Sequence, residues 1–201
     1  MNATSRLILV RHGTCARLND MLLGRAIDAP LDAHGLAQAR SVAEHLRSAP
    51  NPHLVSSPRR RARETAEQIA RRLEISAHVI HALDEIDFGP WAGRSFAELE
   101  QDAQWRFWNE RRSEASTPAG ENIALVHERA SKALGELRNE HPRATLILVT
   151  HAEVIRTLVM SWLGLSPDEF NQMPIAPASI TTVAFDSDQP RIQELNMQVA
   201  A

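Results

Sequence analysis

Two histidines occupy equivalent places in this chain. The apolar run Leu7-Ile8-Leu9-Val10 ends in Arg11-His12-Gly13, and the run from Ala144 to Val149 ends in Thr150-His151-Ala152. In open α/β sheets, ligand sites gather beyond the carboxyl ends of the strands, so both histidines fall where chemistry is usually placed. Arg11 adjoins His12, and a permanent cation beside an imidazole favours its neutral, nucleophilic form. Arginine is also the best bidentate donor to a phosphoryl group. Gly13 is expected to let the backbone come close to a ligand. Downstream, Arg59, Arg60, Arg61 and Arg63 follow Ser57-Pro58, and a helix N-terminus is itself an anion site. Three of these four fit a solvated basic face, and periodicity does not say which one points inward. Asp84, Glu85 and Asp87 are equal candidates for acid–base work. The residues alone point to an anion site beside a neutral histidine.

What is scarce narrows the chemistry further. Lysine occurs once, at Lys132, with no Gly-rich loop before it, so a Walker-type P-loop is excluded. Tyrosine is absent, which leaves proton transfer mainly to His, Asp and Glu. The formal charge of −3 advertises no basic face for nucleic acid. His34, His45, His53, His78, His81, His127 and His141 are expected to be structural or solvated. No third ligand type stands near the His78/His81 pair, so no metal is expected there. The lone Cys15 closes no intrachain disulfide, and no secretory h-region or membrane span is visible, so a cytoplasmic setting is expected.

Elements must then hold these residues. The chain has 201 residues, 43% of them hydrophobic, which suits one domain over 1–201. Strands are expected at Leu7–Val10, His53–Ser56, His78–Ile80, Ala144–Thr150, Ile180–Phe185 and Ile192–Leu195. Helices are expected over Asp32–Leu46, with Leu36, Ala39, Val42, Ala43 and Leu46 inward, and from a Ser57-Pro58 cap to about Leu73. Further helices are expected over Glu121–Asn139 and Ala152–Leu163, the last stopped by Gly164. Asp84–Pro118, rich in Trp, Glu and Arg, reads as loops and short helices that cap the substrate. Alternating strands and helices imply a layered α/β fold with a largely parallel sheet.

An ordered series of motifs adds to this reading. It comprises Leu9-Val10-Arg11-His12-Gly13, Pro30-Leu31 with Gly35 and Gln38-Ala39, and Ser56-Ser57-Pro58 with Arg61-Ala62 and Thr65-Ala66. Leu83, Glu85, Phe88-Gly89, Trp91 and Gly93 follow, then Pro118 with Gly120-Glu121, and Val149-Thr150-His151. The series covers almost the full length and resembles the histidine phosphatase superfamily, which includes phosphoglycerate mutases. Trp105 and Trp108 leading to Pro118 are closer to the α-ribazole phosphatase pattern. The resemblance implies a three-layer α/β/α fold of the phosphoglycerate mutase type with a mostly parallel sheet. It implies that His12 becomes phosphohistidine, that Arg11, Arg61 and His151 clamp the phosphoryl group, and that Glu85 is the general acid. Asn19, Gly24 and Arg25 are implied as substrate contacts. No metal or cofactor is implied, and the partner is a small phosphorylated substrate such as α-ribazole 5′-phosphate, with no nucleic acid or membrane; a homodimer stays open.

The departures cluster past His12. Thr14-Cys15 stand where the family shows Glu-Ser or Glu-Thr, and Asn19 lies one position late. Cys15 is expected to be a small packing residue. About two dozen residues separate Gly93 from Pro118, too few for the insertion that shields a mutase phosphoenzyme from water. A phosphatase is therefore expected, with a cofactor-dependent phosphoglycerate mutase or a non-catalytic phospholigand-binding relative as the alternatives. Whether Trp105 and Trp108 face pocket or core is open, core being the default for Trp.

Overall fold

The computed structural model describes residues 5–186 and 189–200. Strands β1 (Ser5–Arg11), β2 (Pro52–Ser56), β3 (Ala77–Val79), β4 (Thr145–Thr150), β5 (Ile180–Asp186) and β6 (Gln189–Met197) form one sheet in the order β3-β2-β4-β1-β5-β6. The helices are α1 (Ala33–His45), α2 (Arg60–Leu73), α3 (Phe96–Leu99), α4 (Ala103–Glu110), α5 (Ile123–Glu140) and α6 (Ala152–Leu163). Strands β3, β2, β4 and β1 are parallel, β5 pairs antiparallel with β1, and β6 antiparallel with β5. Five strands thus run one way and β5 alone runs back, in line with the largely parallel sheet expected.

Alternation along the strands decides the layers, because successive side chains leave a strand on opposite faces. Ile8, Val10, Ile147 and Val149 pack against Val42 and Ala43 of α1 and Ala62, Ala66 and Ile69 of α2. Leu7, Leu9, Leu146 and Leu148 pack against Val126, Ala130 and Leu134 of α5 and Val154 and Leu158 of α6. Both faces of β1 and β4 are covered, which is why these strands read as unbroken apolar runs. Each such side chain contributes roughly 1.5–3 kcal/mol by leaving water. Among the described residues no helix is long and apolar enough to cross a membrane.

Several boundaries differ from expectation for identifiable reasons. Ser57 does not cap α2. The helix starts at Arg60 after an extended Arg59, without a side-chain cap, because the Ser57 hydroxyl lies 2.7 Å from His151 Nε2 and only 3.3 Å from the Arg59 amide. Helix α5 begins at Ile123, not at Glu121: the Asn122 side chain accepts from the Leu125 amide and caps it, leaving Glu121 outside. Strand β3 is Ala77–Val79 instead of His78–Ile80, an exposed edge with no inward face to fix its register. The last strand runs from Gln189 to Met197, longer than Ile192–Leu195. Leu36 is only half-buried on α1. The two tryptophans of α4 divide their roles: Trp108 is fully buried, and Trp105 borders the cleft described below.

Candidate active site

In the parallel pairing of β1 with β4, Arg11 lies opposite Thr150. The next residue of each strand is a histidine, so the two rings meet with centroids 5.2 Å apart, edge to face. Both are buried, His12 at 2% exposure and His151 at 0%. His12 Nδ1 lies 2.7 Å from the Gly13 carbonyl. A carbonyl only accepts, so Nδ1 donates and Nε2 keeps its lone pair. Arg61 fixes the same tautomer from the other side, its Nε donating to His12 Nε2 at 3.2 Å. Burial above all, then the Arg61 and Arg11 charges, hold the His12 pKa well below the ordinary imidazole range. His12 is thus a neutral base with its free lone pair aimed at a cation.

Helix α2 supplies one arginine of the four. Arg61 is 1% exposed and donates to His12, to the Gly24 carbonyl at 2.9 Å and to the Ile27 carbonyl at 3.3 Å, with His151 Nδ1 3.3 Å from Nη2. Arg59 instead ion-pairs with Asp84 at 2.9 Å. Arg60 pairs with Glu64 on the surface, and Arg63 is exposed. Arg11 donates from Nη1 to the Ile175 carbonyl, and its Nε is buried without a partner among the described residues. His151 precedes the first turn of α6 and is held through Nε2 by Ser57. Burial, then Arg61, keep its pKa well below the usual value too.

Of the three acidic candidates, only Glu85 borders the cleft with His12 and Arg61. Its Oε2 lies 3.7 Å from His151 Nδ1, and its Oε1 accepts from the Ile86 amide. Burial raises its pKa to about 7 against the pull of Arg61, with Glu153 adding to the rise. A carboxyl that is protonated near neutrality and faces a neutral histidine suits a general acid. Asp84 instead receives the Glu85 amide and Arg59, and Asp87 receives the Gly89 amide.

Two expectations are corrected. Asn19 is exposed and borders a separate depression with Cys15, Asp20 and His34, so it is not brought to His12. Arg25 does not face the phosphoryl space either. Its Nε donates to the Glu85 carbonyl at 2.6 Å and its Nη2 to both Glu121 carboxylate oxygens, at 3.0 and 2.9 Å. Gly13 is required by a neighbour in any case, since a Cβ there would stand 2.6 Å from the Gly35 carbonyl oxygen. Gly24 does border the cleft, through its backbone, with φ at +54°. Cys15 is 2% exposed among Met21, Leu23 and Ala29, and burial pushes its thiol pKa up. That is a packing role, as expected.

Two features went unassigned in the sequence. Glu121, a motif residue without a role, joins Arg25 to Arg129 and accepts the Asp87 amide at 2.6 Å. Arg129 completes this clamp by donating to the carbonyls of Ala82, Asp84 and Glu85. The backbone that carries Glu85 is therefore gripped by two guanidinium groups tied through one carboxylate. The second feature is Glu153, noticed in the sequence, with Arg156, only as a polar break in an apolar stretch. It bridges Arg112 and Arg156 on the wall of the cleft described next.

The cleft has a volume of about 300 Å³. Arg11, His12, Gly24, Arg61 and Glu85 line it together with the apolar Leu22, Phe88, Phe96 and Trp105 and with Arg112, Glu153, Arg156 and Phe170, the last four also lining a neighbouring cavity of about 360 Å³. Among the described residues, no three His, Cys, Asp or Glu side chains are grouped to hold a metal ion.

The chain belongs to the histidine phosphatase superfamily, whose branch 1 model matches residues 7–198. It is 28% identical to phosphoserine phosphatase 1 of Hydrogenobacter thermophilus, over 96% of this chain and 92% of that one. It is 29% identical to the probable phosphoglycerate mutase GpmB of Proteus mirabilis, over 90% and 86%. Adenosylcobalamin/α-ribazole phosphatase of Salmonella typhimurium is 30% identical over 77% of both chains. The solved structure of mycobacterial glucosyl-3-phosphoglycerate phosphatase superposes with a TM-score of 0.85 at 27% identity, covering 97% of this chain and all of that one.

Proposed function

We propose that this protein is a metal-independent phosphomonoesterase that cleaves a small phosphorylated metabolite through a phosphohistidine on His12. The observation that carries the reading is the tautomer of His12, with Nδ1 donating to the Gly13 carbonyl and Nε2 left unprotonated against Arg61. In the first half-reaction Nε2 attacks phosphorus while the bond to the leaving alcohol breaks, and Glu85 gives its proton to that oxygen. In the second, the Glu85 carboxylate takes a proton from water, the new hydroxide bonds to phosphorus, and the N–P bond breaks. Inorganic phosphate leaves, and His12 and Glu85 return to their starting states. Arg11, Arg61 and His151 surround the charge that spreads over the phosphoryl oxygens, and such positioning and charge stabilisation make up most of the catalysis of phosphoryl transfer.

Water is the favoured acceptor because the segment between Gly93 and Pro118 is short. One domain over 1–201, with 84–118 over the substrate, and a cytoplasmic setting belong to the same proposal. The ester α-ribazole 5′-phosphate is one candidate substrate, and phosphoserine and glucosyl-3-phosphoglycerate, named by relatives, are others. Turnover of p-nitrophenyl phosphate is expected to persist in EDTA. It should fall at least ~10³-fold in His12→Ala, and acid-labile, base-stable phosphoenzyme should be trapped from the parent protein only. Activity that EDTA abolishes and His12→Ala keeps overturns the mechanism. Strong stimulation of 3-phosphoglycerate isomerisation by 2,3-bisphosphoglycerate makes the protein a mutase instead, and phosphoester binding without turnover makes it a non-catalytic relative.

A further inference from the structure

Arg11 and His12 are gripped through their main chain from two directions. From β4, the Thr150 carbonyl accepts the His12 amide at 3.0 Å. From the other side comes the stretch 175–179 that leads into β5. The Ser179 carbonyl accepts the Arg11 amide at 3.1 Å, the Ala178 amide donates to the His12 carbonyl at 3.0 Å, and the Ile175 carbonyl accepts from Arg11 Nη1. The Ser179 amide closes this stretch into a turn by donating to the Ala176 carbonyl at 3.1 Å. Ala178 is buried with φ at +55°, left-handed backbone that an alanine keeps only where its surroundings impose it.

The outer anchor of the turn reaches in from β6, the edge strand. From Ile180 to Thr182 strand β5 advances two residues, while their partners on β6, Met197 and Glu194, stand three apart. The extra residue makes a bulge, and bulges re-aim side chains and collect beside active sites. Asn196 lies in this one with φ at +53°, a backbone state that asparagine enters more readily than most residues. Its amide donates to Thr181 Oγ1 at 3.2 Å, and its side-chain Oδ1 accepts the Ala176 amide at 2.7 Å.

We infer that Asn196 is a positioning residue for Arg11 and His12, acting through the 175–179 turn. This rests on the phosphatase reading and deepens it. Asn196 is not among the described residues that line the cleft, so it takes no part in recognising the leaving alcohol. The chain of contacts is short: Asn196 Oδ1 fixes Ala176, and the turn then fixes the two groups that hold the His12 carbonyl and the Arg11 guanidinium. Both residues so governed act on the phosphoryl group, one as nucleophile and one as clamp. Losing the anchor therefore slows every ester alike and weakens the hold on phosphate itself.

Asn196→Gly keeps the left-handed backbone within reach and removes only the acceptor. It is expected to lower kcat about tenfold, equally for p-nitrophenyl phosphate and phenyl phosphate, because a displacement of about an ångström can cost up to ~10²-fold. Competitive inhibition by inorganic phosphate should weaken severalfold at the same time. Asn196→Asp, which keeps an acceptor at the same reach, should stay within about threefold of the parent. An Asn196→Gly protein that melts earlier yet keeps the parental kcat and phosphate inhibition makes Asn196 a brace of the sheet alone and overturns the inference. So does a folded Asn196→Asp protein as slow as Asn196→Gly. Should Asn196→Gly not fold, the parent protein still decides: coupling between two sites is reciprocal, so inorganic phosphate must slow hydrogen exchange at the Ala176 amide, and unchanged exchange sinks the link. Failure of the phosphatase reading looks different, since the parent then hydrolyses neither ester, or His12→Ala hydrolyses both as well as the parent does.

Discussion

Two half-buried carboxylates in this molecule, Glu121 and Glu153, each join two arginines, and the two assemblies differ. Around Glu121, Arg25 and Arg129 aim their remaining donors at backbone carbonyls, and the Glu85 carbonyl receives both. Around Glu153, Arg112 and Arg156 keep most of their donors uncommitted at a cleft wall. Composition is the same in both, two Arg and one Glu. The difference lies in where the rest of each guanidinium points. Carbonyls of the protein's own chain make Arg25 and Arg129 struts, whereas the pair around Glu153 gives one donor to a carbonyl and keeps the rest at a cavity wall.

Breaking the strut should hurt most and should hurt every substrate alike. Glu121→Gln leaves two cations poorly compensated beneath the loop that carries Glu85. The expected loss is about 10²-fold in kcat for phosphoserine and p-nitrophenyl phosphate together, with little change in KM, since misplacing a catalytic group by about an ångström costs that much. Leaving the partly buried donors of that network without their acceptor also destabilises by about 1–2 kcal/mol, which thermal unfolding reads directly. Loss confined to one substrate class shows that Glu121 serves recognition and erases the distinction.

Glu153→Gln sharpens the contrast through pH. Activity of the parent is expected to fall as pH rises through about 7, where Glu85 loses the proton it must donate. Removing the Glu153 charge takes away one cause of that raised pKa and leaves Arg112 and Arg156 less compensated. The alkaline limb of kcat should move to lower pH by up to about one unit, a tenfold effect near pH 8. An unmoved limb means that Glu153 acts on binding alone.

The histidine end of the site gives a smaller, stability-level test. His12, His151 and His53 are held below their ordinary pKa by burial first, so the unfolded chain binds protons there that the folded one refuses. Glu85 works the opposite way, keeping its proton up to about 7. Below about 6.5, the ordinary imidazole value, the unfolded state therefore binds more protons at the three histidines than the folded one, partly offset by the proton that Glu85 keeps. Stability should fall on acidification through this window by about 1.4 kcal/mol per pH unit per net proton, as denaturant melts at stepped pH would show. Stability that rises on acidification contradicts the neutral-histidine picture. The smallest effect expected is that of Cys15→Ser: under twofold on kcat, with about 1 kcal/mol lost for placing a hydroxyl among Met21, Leu23 and Ala29.

These contrasts mark where the sequence stops being readable. The paired strand ends of Val10-Arg11-His12 and Val149-Thr150-His151 were visible because burial on both faces leaves an unbroken apolar run. The inward choice of Arg61 came from resemblance, since all four arginines of that stretch share one helix start and only tertiary contacts separate them. Arg25 and Asn19 were misplaced for the same reason: a polar residue near a motif says nothing about where its donors go. Ser57 carried a genuine capping signal, yet a buried imidazole 94 residues away took its hydroxyl. Glu153 and Arg156 were visible only as interruptions, because a pairing that needs Arg112 from another element has no local pattern.

The close approach of Gly13 to Gly35 bears on how this site could change over time. With no room for a Cβ at Gly13, and a Cβ at Gly35 set to collide with the Thr14 carbonyl, the two main chains are mutually indexed, and the Asp32 carboxylate ties the Thr14 hydroxyl to the Gly35 amide across the same junction. The nucleophile's address is thereby written in a backbone contact with one carboxylate as its clasp. Thr14, which differs from the usual family pattern, is thus part of that clasp, so a change there reaches the placement of the reactive histidine as well as its surroundings.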